Sequence, residues 1–526
     1  MIKFFGYGIY WLMRDNIVKK SERSSKMPEE SVHTRISADI PIDKSLDRNL
    51  KNIEIITGNS SDVTTKTAMV GKNRIAVLTC EGMASTETLS ELIYQKLNNV
   101  GNEDGIPPEE LIDRLFEVYL TAAEQIEIKN IGSLVLKLQS GFAIILAEGS
   151  SRCIAIGIQG YNSRGIDEPS AELNVRGSRE GFIEVIRTNM SMIRRRIKSP
   201  TLVFEMSTLG DRSNTDICVC YISDKVSPKL LENVKKRLKS IKLNTILESG
   251  YIQPFFEGKG GWFFSECGTC ERPDTFAAKL YEGRIGILVD GTPFALVVPH
   301  LFIESFQTLD DYTQKPFYAF FIRLVRLSAF FITLFLPGVY VAVASFHPEM
   351  LPSSLILNLA ASEQTAPFSL MVECLFIHFM YELLREAGIR LPRPIGHAIG
   401  VVGGLVIGDI TVSAGLVGAP MVLVVALSGL CSFVVPTMYE KIVILRFIYI
   451  IAGGVFGLFG LIIAAGAVTI KMCSLSTYGI PYMAPVSPFS PRASRDMFVR
   501  SGWRRMENGD MTLQELNGAE ISEKPI

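Results

Sequence analysis

Histidine is scarce in this chain: there are five in 526 residues, His33, His300, His347, His378 and His397, and none stands at metal-ligand spacing. The nine cysteines are scattered and odd in number, which fits reduced thiols rather than a secreted disulfide framework. Cys267 and Cys270 form a lone C-x-x-C, whereas a zinc ribbon needs a second pair or clustered histidines nearby. No metal or cofactor is therefore expected. The nucleophile elbow, the H-E-x-x-H helix and the protein-kinase signatures are missing too, so no catalytic residue and no enzyme activity are expected. A net charge of -1 leaves no basic field for nucleic acid.

Charge is also missing from three long stretches. Leu327 to Phe346, Ile410 to Tyr439 and Phe447 to Ile470 contain no Asp, Glu, Lys or Arg. A membrane-crossing helix needs about 20 consecutive apolar residues, and soluble core helices seldom offer such runs. The sequence is thus expected to join a charged α/β region to an all-α, multi-pass membrane domain. Its boundaries are read as an N-terminal extension over 1–47, a first α/β subdomain over 48–165 and a second over 166–314. A membrane domain over 315–470 and a Pro/Arg-containing tail over 471–526 follow. The first thirteen residues are apolar and aromatic but too few to span, and they lack the marks of a signal peptide. They suit a membrane interface or a disordered end, and Arg14 to Asp47 reads as linker.

In the first α/β unit the pattern predicts a strand over Arg74–Cys80 and helices over Ser85–Leu97 and from Pro107-Pro108 onward. Strands are predicted over 134–138, 142–147 and 153–158. In the second unit it predicts a helix over about 180–197 and strands over 202–205 and 217–222. A basic helix after Ser227 and a hairpin closed by Asp290-Gly291-Thr292 complete it. The turn Arg176-Gly177-Ser178-Arg179-Glu180-Gly181 could hold an anion at a helix N-terminus, but it lacks the glycine spacing of known phosphate loops. A salt-bridged turn is the simpler expectation.

Five segments are candidates for the membrane block: 327–346, 367–384, 395–412, 415–436 and 445–470. Arg323 and Arg326 before the first, Arg385, Arg390 and Arg393 after the second, and Lys441 and Arg446 before the fifth mark cytoplasmic flanks. Five full crossings would leave the Arg-bearing tail on the opposite side, so one segment is expected not to cross fully. Segment 367–384 is two-sided. Glu373, His378, Tyr381, Glu382 and Arg385 share one half of the helical wheel, while Val372, Leu375, Phe376, Phe379 and Leu383 share the other. It reads either as a helix lining a polar pathway between copies or as an amphipathic helix at the interface. Gly396, Gly400, Gly404 and Gly408 recur every four residues and form a groove for close helix packing. Asp409 follows them, as a candidate cation ligand or a residue at the water boundary.

Several longer motifs resemble the A subunits of spore germinant receptors, the GerA family. They are Glu168-Pro169, Glu172, Arg176-Gly177, Glu180-Gly181-Phe182, Glu184, Asn189 and Arg194-Arg195-Arg196, then Glu271-Arg272-Pro273-Asp274, Glu282-Gly283-Arg284 and Asp290-Gly291-Thr292-Pro293. The run from Glu382 to Pro392 with Ile395-Gly396 is similar as well, so the likeness extends over roughly residues 48 to 505. The resemblance implies a nutrient-receptor subunit in the inner membrane of a bacterial endospore, with its large N-terminal domain in the cytoplasm. It implies a permease-like B subunit and a lipoprotein C subunit as partners. It also implies a homo-oligomer, a pentamer, forming a nutrient-gated channel for monovalent cations. His397 and Asp409 stand where relatives are expected to carry neutral polar residues. The alternatives are a relative serving the calcium-dipicolinate release channel and, from another class, a secondary transporter. A transporter would show two related halves, and no such repeat is legible.

Overall fold

The computed structural model describes residues 40–100, 106–119, 124–160, 172, 177–258, 263–363, 367–392, 403–404, 406–476, 478–491, 493–497 and 512–521. Residues 1–39 of the expected N-terminal extension lie outside them, as do Glu168, Arg176, Gly396, His397 and Gly400. The chain divides into two units. One comprises residues 1–59, 63–160 and 198–201; the other comprises 60–62, 161–197 and 202–526.

The first unit is built on five antiparallel strands: β1 (Val63–Val70), β2 (Asn73–Cys80), β3 (Gln125–Ile128), β4 (Phe142–Ala147) and β5 (Cys153–Gly157). Their order across the sheet is β1-β2-β4-β5-β3. Alternation along β2 sends Ile75 and Val77 to one face and Ala76 and Leu78 to the other. The first face is covered by helical stretches 86–100 and 108–119. Helices α1 (Leu46–Ile56) and α2 (Ile131–Leu138) cover the second. Because both faces are covered, β4 is buried at every position and reads as an unbroken apolar run. The strand expected over 134–138 is instead part of α2. Asn130 caps it by accepting the Ser133 N–H at 2.7 Å, and Ile131, Leu134, Val135 and Leu138 form a buried helical stripe.

The second unit repeats that plan. Helix α3 (Ile186–Arg196) precedes β6 (Leu202–Leu209) and β7 (Thr215–Ile222). Helix α4 (Pro228–Lys239), β8 (Gly268–Cys270), α5 (Pro273–Tyr281), β9 (Ile285–Val289) and β10 (Ala295–Val298) follow. The order β6-β7-β9-β10-β8 is the same permutation as in the first sheet. The expected hairpin is present, with Leu296 opposite Ile287. Helix α3 starts at Ile186 rather than 180, because the Asn189 side chain brackets Ile183, accepting its N–H and donating to its carbonyl. The Ser227 side chain does not cap α4; its hydroxyl donates to the Ile521 carbonyl of the tail at 3.2 Å. Cys267 and Cys270 are buried free thiols, and the Cys270 thiol donates to the Arg272 carbonyl at 3.2 Å.

The helical block belongs to this second unit. It contains α6 (Pro316–Phe346), α7 (Ser353–Glu363), α8 (Leu370–Arg390), α9 (Ala419–Ser432) and α10 (Tyr439–Cys473). By length and composition, two stretches among the described residues are long and apolar enough to cross a membrane, Pro316–Phe346 and Pro436–Cys473. The five expected segments are redrawn accordingly. Segment 327–346 lies within α6 and 367–384 within α8. Segment 415–436 shrinks to α9, whose 14 residues are short for a crossing. Of 395–412 the described part is Gly403-Gly404 and a π-helical turn, Val406–Ile410, running into Thr411–Ser413.

The fifth segment turns back on itself. Gly457 has φ 62° and ψ -151°, a conformation essentially restricted to glycine. A Cβ on Gly460 would stand 2.5 Å from the carbonyl oxygen of Ala452, eight residues earlier. In a continuous helix those residues are about 12 Å apart. Both ends of α10 also reach the same short turn, Phe302–Phe306: the Thr437 hydroxyl donates to the Ser305 carbonyl, and Phe302 N–H donates to the Tyr482 carbonyl. A straight helix would hold its ends about 50 Å apart. Thus α10 is a hairpin, with arms 439–456 and 458–473 meeting at Gly457 beside Phe346 and His347. The tail returns to the second sheet, where Tyr478, Tyr482, Leu513, Leu516 and Ile521 join its core.

Candidate functional site: a buried polar seam in the helical block

Helix α8 carries ionisable groups at apolar depth, so its orientation decides what they can do. Its apolar side is outermost: Val372, Phe376, Phe379 and Leu383 are exposed. Its polar side is turned into the block, against α9 and the first arm of α10. Glu373 is 1% exposed and accepts the Gly418 N–H at 2.6 Å, placing its carboxylate at the N-terminus of α9. There the helix dipole and unsatisfied N–H groups favour negative charge. One turn on, Cys374, Ile377 and His378 are fully enclosed. The His378 ring meets Phe447 edge-on at 6.5 Å, and neither ring nitrogen has a hydrogen-bond partner among the described residues. The Tyr381 ring lies on Gly429, where a Cβ would come within 2.9 Å of it.

Glu382 is the hub of this seam. Its carboxylate receives Arg446 Nη2 on one oxygen and the Tyr439 hydroxyl on the other. Arg385 lies over the Tyr439 ring, a cation–π contact that keeps its charge at the edge of the seam. Arg446 is fully buried, and its Nε and Nη1 have no partner among the described residues. Sequence pattern placed Arg446 on a cytoplasmic flank. The fold instead carries it inward, in the second turn of α10 between Leu445 and Phe447. A cation directly abutting the charge-free run 447–470 was the available signal. Tyr439, the last residue of a charge-free stretch, gave none.

The remaining candidates stand elsewhere. Asp409 is exposed at the end of the π-helical turn, and Gly404 and Gly408 have open space where a Cβ would project. Close glycine packing occurs on other helices. A Cβ on Gly338 of α6 would lie 2.7 Å from the Tyr449 carbonyl oxygen, and one on Gly453 would lie 2.5 Å from that of Gly338.

In the α/β region the motif residues build a framework. Glu180 pairs with Arg195 and Arg196, so the turn running from Gly177 to Gly181 is salt-bridged, as expected. Phe182 packs edge-on against Phe276 at 5.4 Å, and Asn189 is buried. Arg272 grips Asp274 at 3.1 and 2.7 Å and donates to the Ser178 carbonyl, while Pro273 opens α5.

Two ionic knots root the helical block in the second sheet. Asp311 accepts from Arg323 at 2.9 Å and Arg326 at 2.8 Å, and Arg323 also holds Asp496 and the Met497 carbonyl of the tail. The two arginines read as topology signals are thus neutralised by a buried carboxylate. Glu304, in the turn before α6, pairs with Arg284, with Lys279 at 2.9 Å and with His300 at 3.3 Å. Burial pushes the Glu304 carboxyl up, but Arg284 and Lys279, aided by His300, hold it well below the usual carboxylate range. A carboxyl depressed in the folded state adds stability above its unfolded pKa and loses it as pH falls. The full-length protein in detergent is therefore expected to melt earlier between pH 5 and pH 3, and Glu304→Gln to flatten that slope. At pH 7 the variant should be less stable by about 2 kcal/mol. An unchanged pH slope in the melting curves would refute the assignment.

Comparison with known proteins places this architecture. A family model described as Bacillus/Clostridium GerA spore germination protein matches residues 51–511. The chain belongs to the GerA family. Spore germination protein KA of Bacillus subtilis is 39% identical over 467 residues, 88% of this chain and 85% of that protein. The membrane protein YfkQ of the same organism is 34% identical over 91% of this chain and 93% of its own length. Spore germination protein GerLA of Bacillus cereus is 32% identical over 86% and 92%. A solved structure, the N-terminal domain of the A subunit of the Bacillus megaterium spore germinant receptor GerK3, is 30% identical. It covers 50% of this chain and 97% of its own, with a TM-score of 0.39.

Proposed function

We propose that this GerA-family chain is the A subunit of a germinant receptor in the spore inner membrane, and that copies of it assemble, as a pentamer, into a nutrient-gated channel for monovalent cations. A permease-like B subunit would bind the nutrient, and a lipoprotein C subunit would complete the complex. The α/β region would lie in the cytoplasm, with the tail on the same side. The observation that carries this reading is the polar side of α8, where Glu373, His378, Tyr381 and Glu382 line up inside an otherwise apolar block. Ionisable groups at membrane depth are costly and mark ion paths by default. Asp409, exposed in the π-helical turn before α9, is a second candidate contact for a cation.

Gating in this reading is a population shift: nutrient on the partner favours the assembly in which the polar sides of α8 face a common lumen. Proteoliposomes holding all three subunits are expected to release potassium on addition of nutrient. Glu373→Gln is expected to slow that release by about tenfold, the loss expected when a carboxylate lining a cation path is neutralised. Vesicles that stay cation-tight with nutrient bound and the complex intact would sink the channel reading.

A further inference from the structure

The seam is sealed by one ionic contact. Along α8 the inward residues before Glu382 are apolar or uncharged apart from Glu373, which is engaged with the end of α9. Among the described residues Glu382 carries the ion pair from α8 to the hairpin, with both oxygens, to Arg446 and Tyr439 of the same arm, and Arg385 adds its cation–π contact on Tyr439. Beside this contact runs an open groove of about 690 Å³, lined in part by Phe379, Leu383, Val443 and Phe447. The contact therefore lies at the rim of an open space rather than deep in the packed block. Arg446 Nε and Nη1 and both nitrogens of His378 are buried and unpartnered among the described residues. A buried ion pair is near break-even against its hydration, and unsatisfied donors raise the energy of the state that buries them. An arrangement that let water or a partner reach the seam would satisfy these groups.

We propose that the contact of Glu382 with Arg446 and Tyr439 is a latch that keeps the polar side of α8 sealed within the subunit, and that its release bares Glu373, His378 and Tyr381. The proposal rests on the channel reading for its purpose but not for its test. Cys374 lies on the sealed side of α8, fully buried one turn before His378, and reports opening directly. Of the other cysteines Cys431 and Cys473 are the two that are not buried, so a Cys431→Ser, Cys473→Ser background leaves Cys374 as the reporter on α8.

In the assembled complex in membranes, Cys374 of that background should resist a methanethiosulfonate reagent, followed by mass spectrometry of its peptide. Glu382→Gln and Arg446→Gln should each label about tenfold faster, and the exchange E382R/R446E should restore protection. Cys218 and Cys220, buried in the second sheet, serve as the folding control. Should a single variant label there too, it has unfolded, and the exchange decides: failure to restore protection at Cys374 overturns the latch. Protection of Cys374 undiminished in folded single variants overturns it as well. Faster labelling in membranes that remain cation-tight would uphold the latch and overturn the channel.

Discussion

Replacing Asp62 with alanine is expected to lower the stability of the second unit by about 3–5 kcal/mol, the cost of stripping a buried cation of its partner. Asp62 and Arg194 are each 1% exposed, joined at 2.7 Å and 2.9 Å in a two-pronged pair. Arg194 further donates to the Leu202 carbonyl at 3.0 Å and lies over the Phe204 ring at 4.9 Å. Ser60 donates to Asp62 and accepts from the Phe204 N–H, so the segment 60–62 is bound to β6 through the same knot. Removing the carboxylate strands a guanidinium among Phe204, Cys218 and Cys220. The double variant Asp62→Leu, Arg194→Met should recover most of the loss, because an apolar pair of similar volume needs no hydration. Chemical denaturation of the full-length protein in detergent checks both. Equal instability of the single and double variants would show that the pair acts through something other than charge burial.

The second large effect is expected at Gly453. Leucine there should prevent the first arm of the hairpin from seating on α6, with a loss of about 3 kcal/mol or more. Gly338 and Gly453 meet backbone to backbone, so the obstruction is a main-chain carbonyl rather than a movable side chain. The stacked rings of Phe335 and Tyr449, 4.8 Å apart, lie one turn away and would be forced to separate. Gly453→Ala should fall between leucine and the wild type. Thermal melts in detergent, with detergent-resistant yield as a companion reading, measure the series. A leucine variant that melts with the wild type would show that the approach of these helices is not tight.

How much of this was legible beforehand follows the range of each interaction. The two-sidedness of α8 is a property of one helix, readable at 100° per residue, and so is the separation of charged from charge-free sequence at Arg326. The family motifs were readable because they are local strings. The repeated strand order of the two sheets was not legible, since the edge strand β1 is polar and exposed, the edge strand β3 is only four residues long, and their helices differ in length. Strand 134–138 was misread because both faces of the first sheet are covered. Unbroken apolar runs then occur in strands and helices alike, and only the Asn130 cap tells them apart. Three adjacent arginines look equivalent in sequence; the fold buries Arg194 on Asp62 and turns Arg195 and Arg196 to Glu180.

That a charged α/β region meets an apolar helical block, and that one helix of that block is half polar, is written in composition and helical periodicity, which act over a few residues. The hairpin at Gly457, the sealing of its first arm and the answer of Arg446 to Glu382 come from packing alone. Those outcomes depend on which helices pack together. A buried cation can be tolerated only where the fold brings a carboxylate from another helix, 64 positions away in the chain, to meet it.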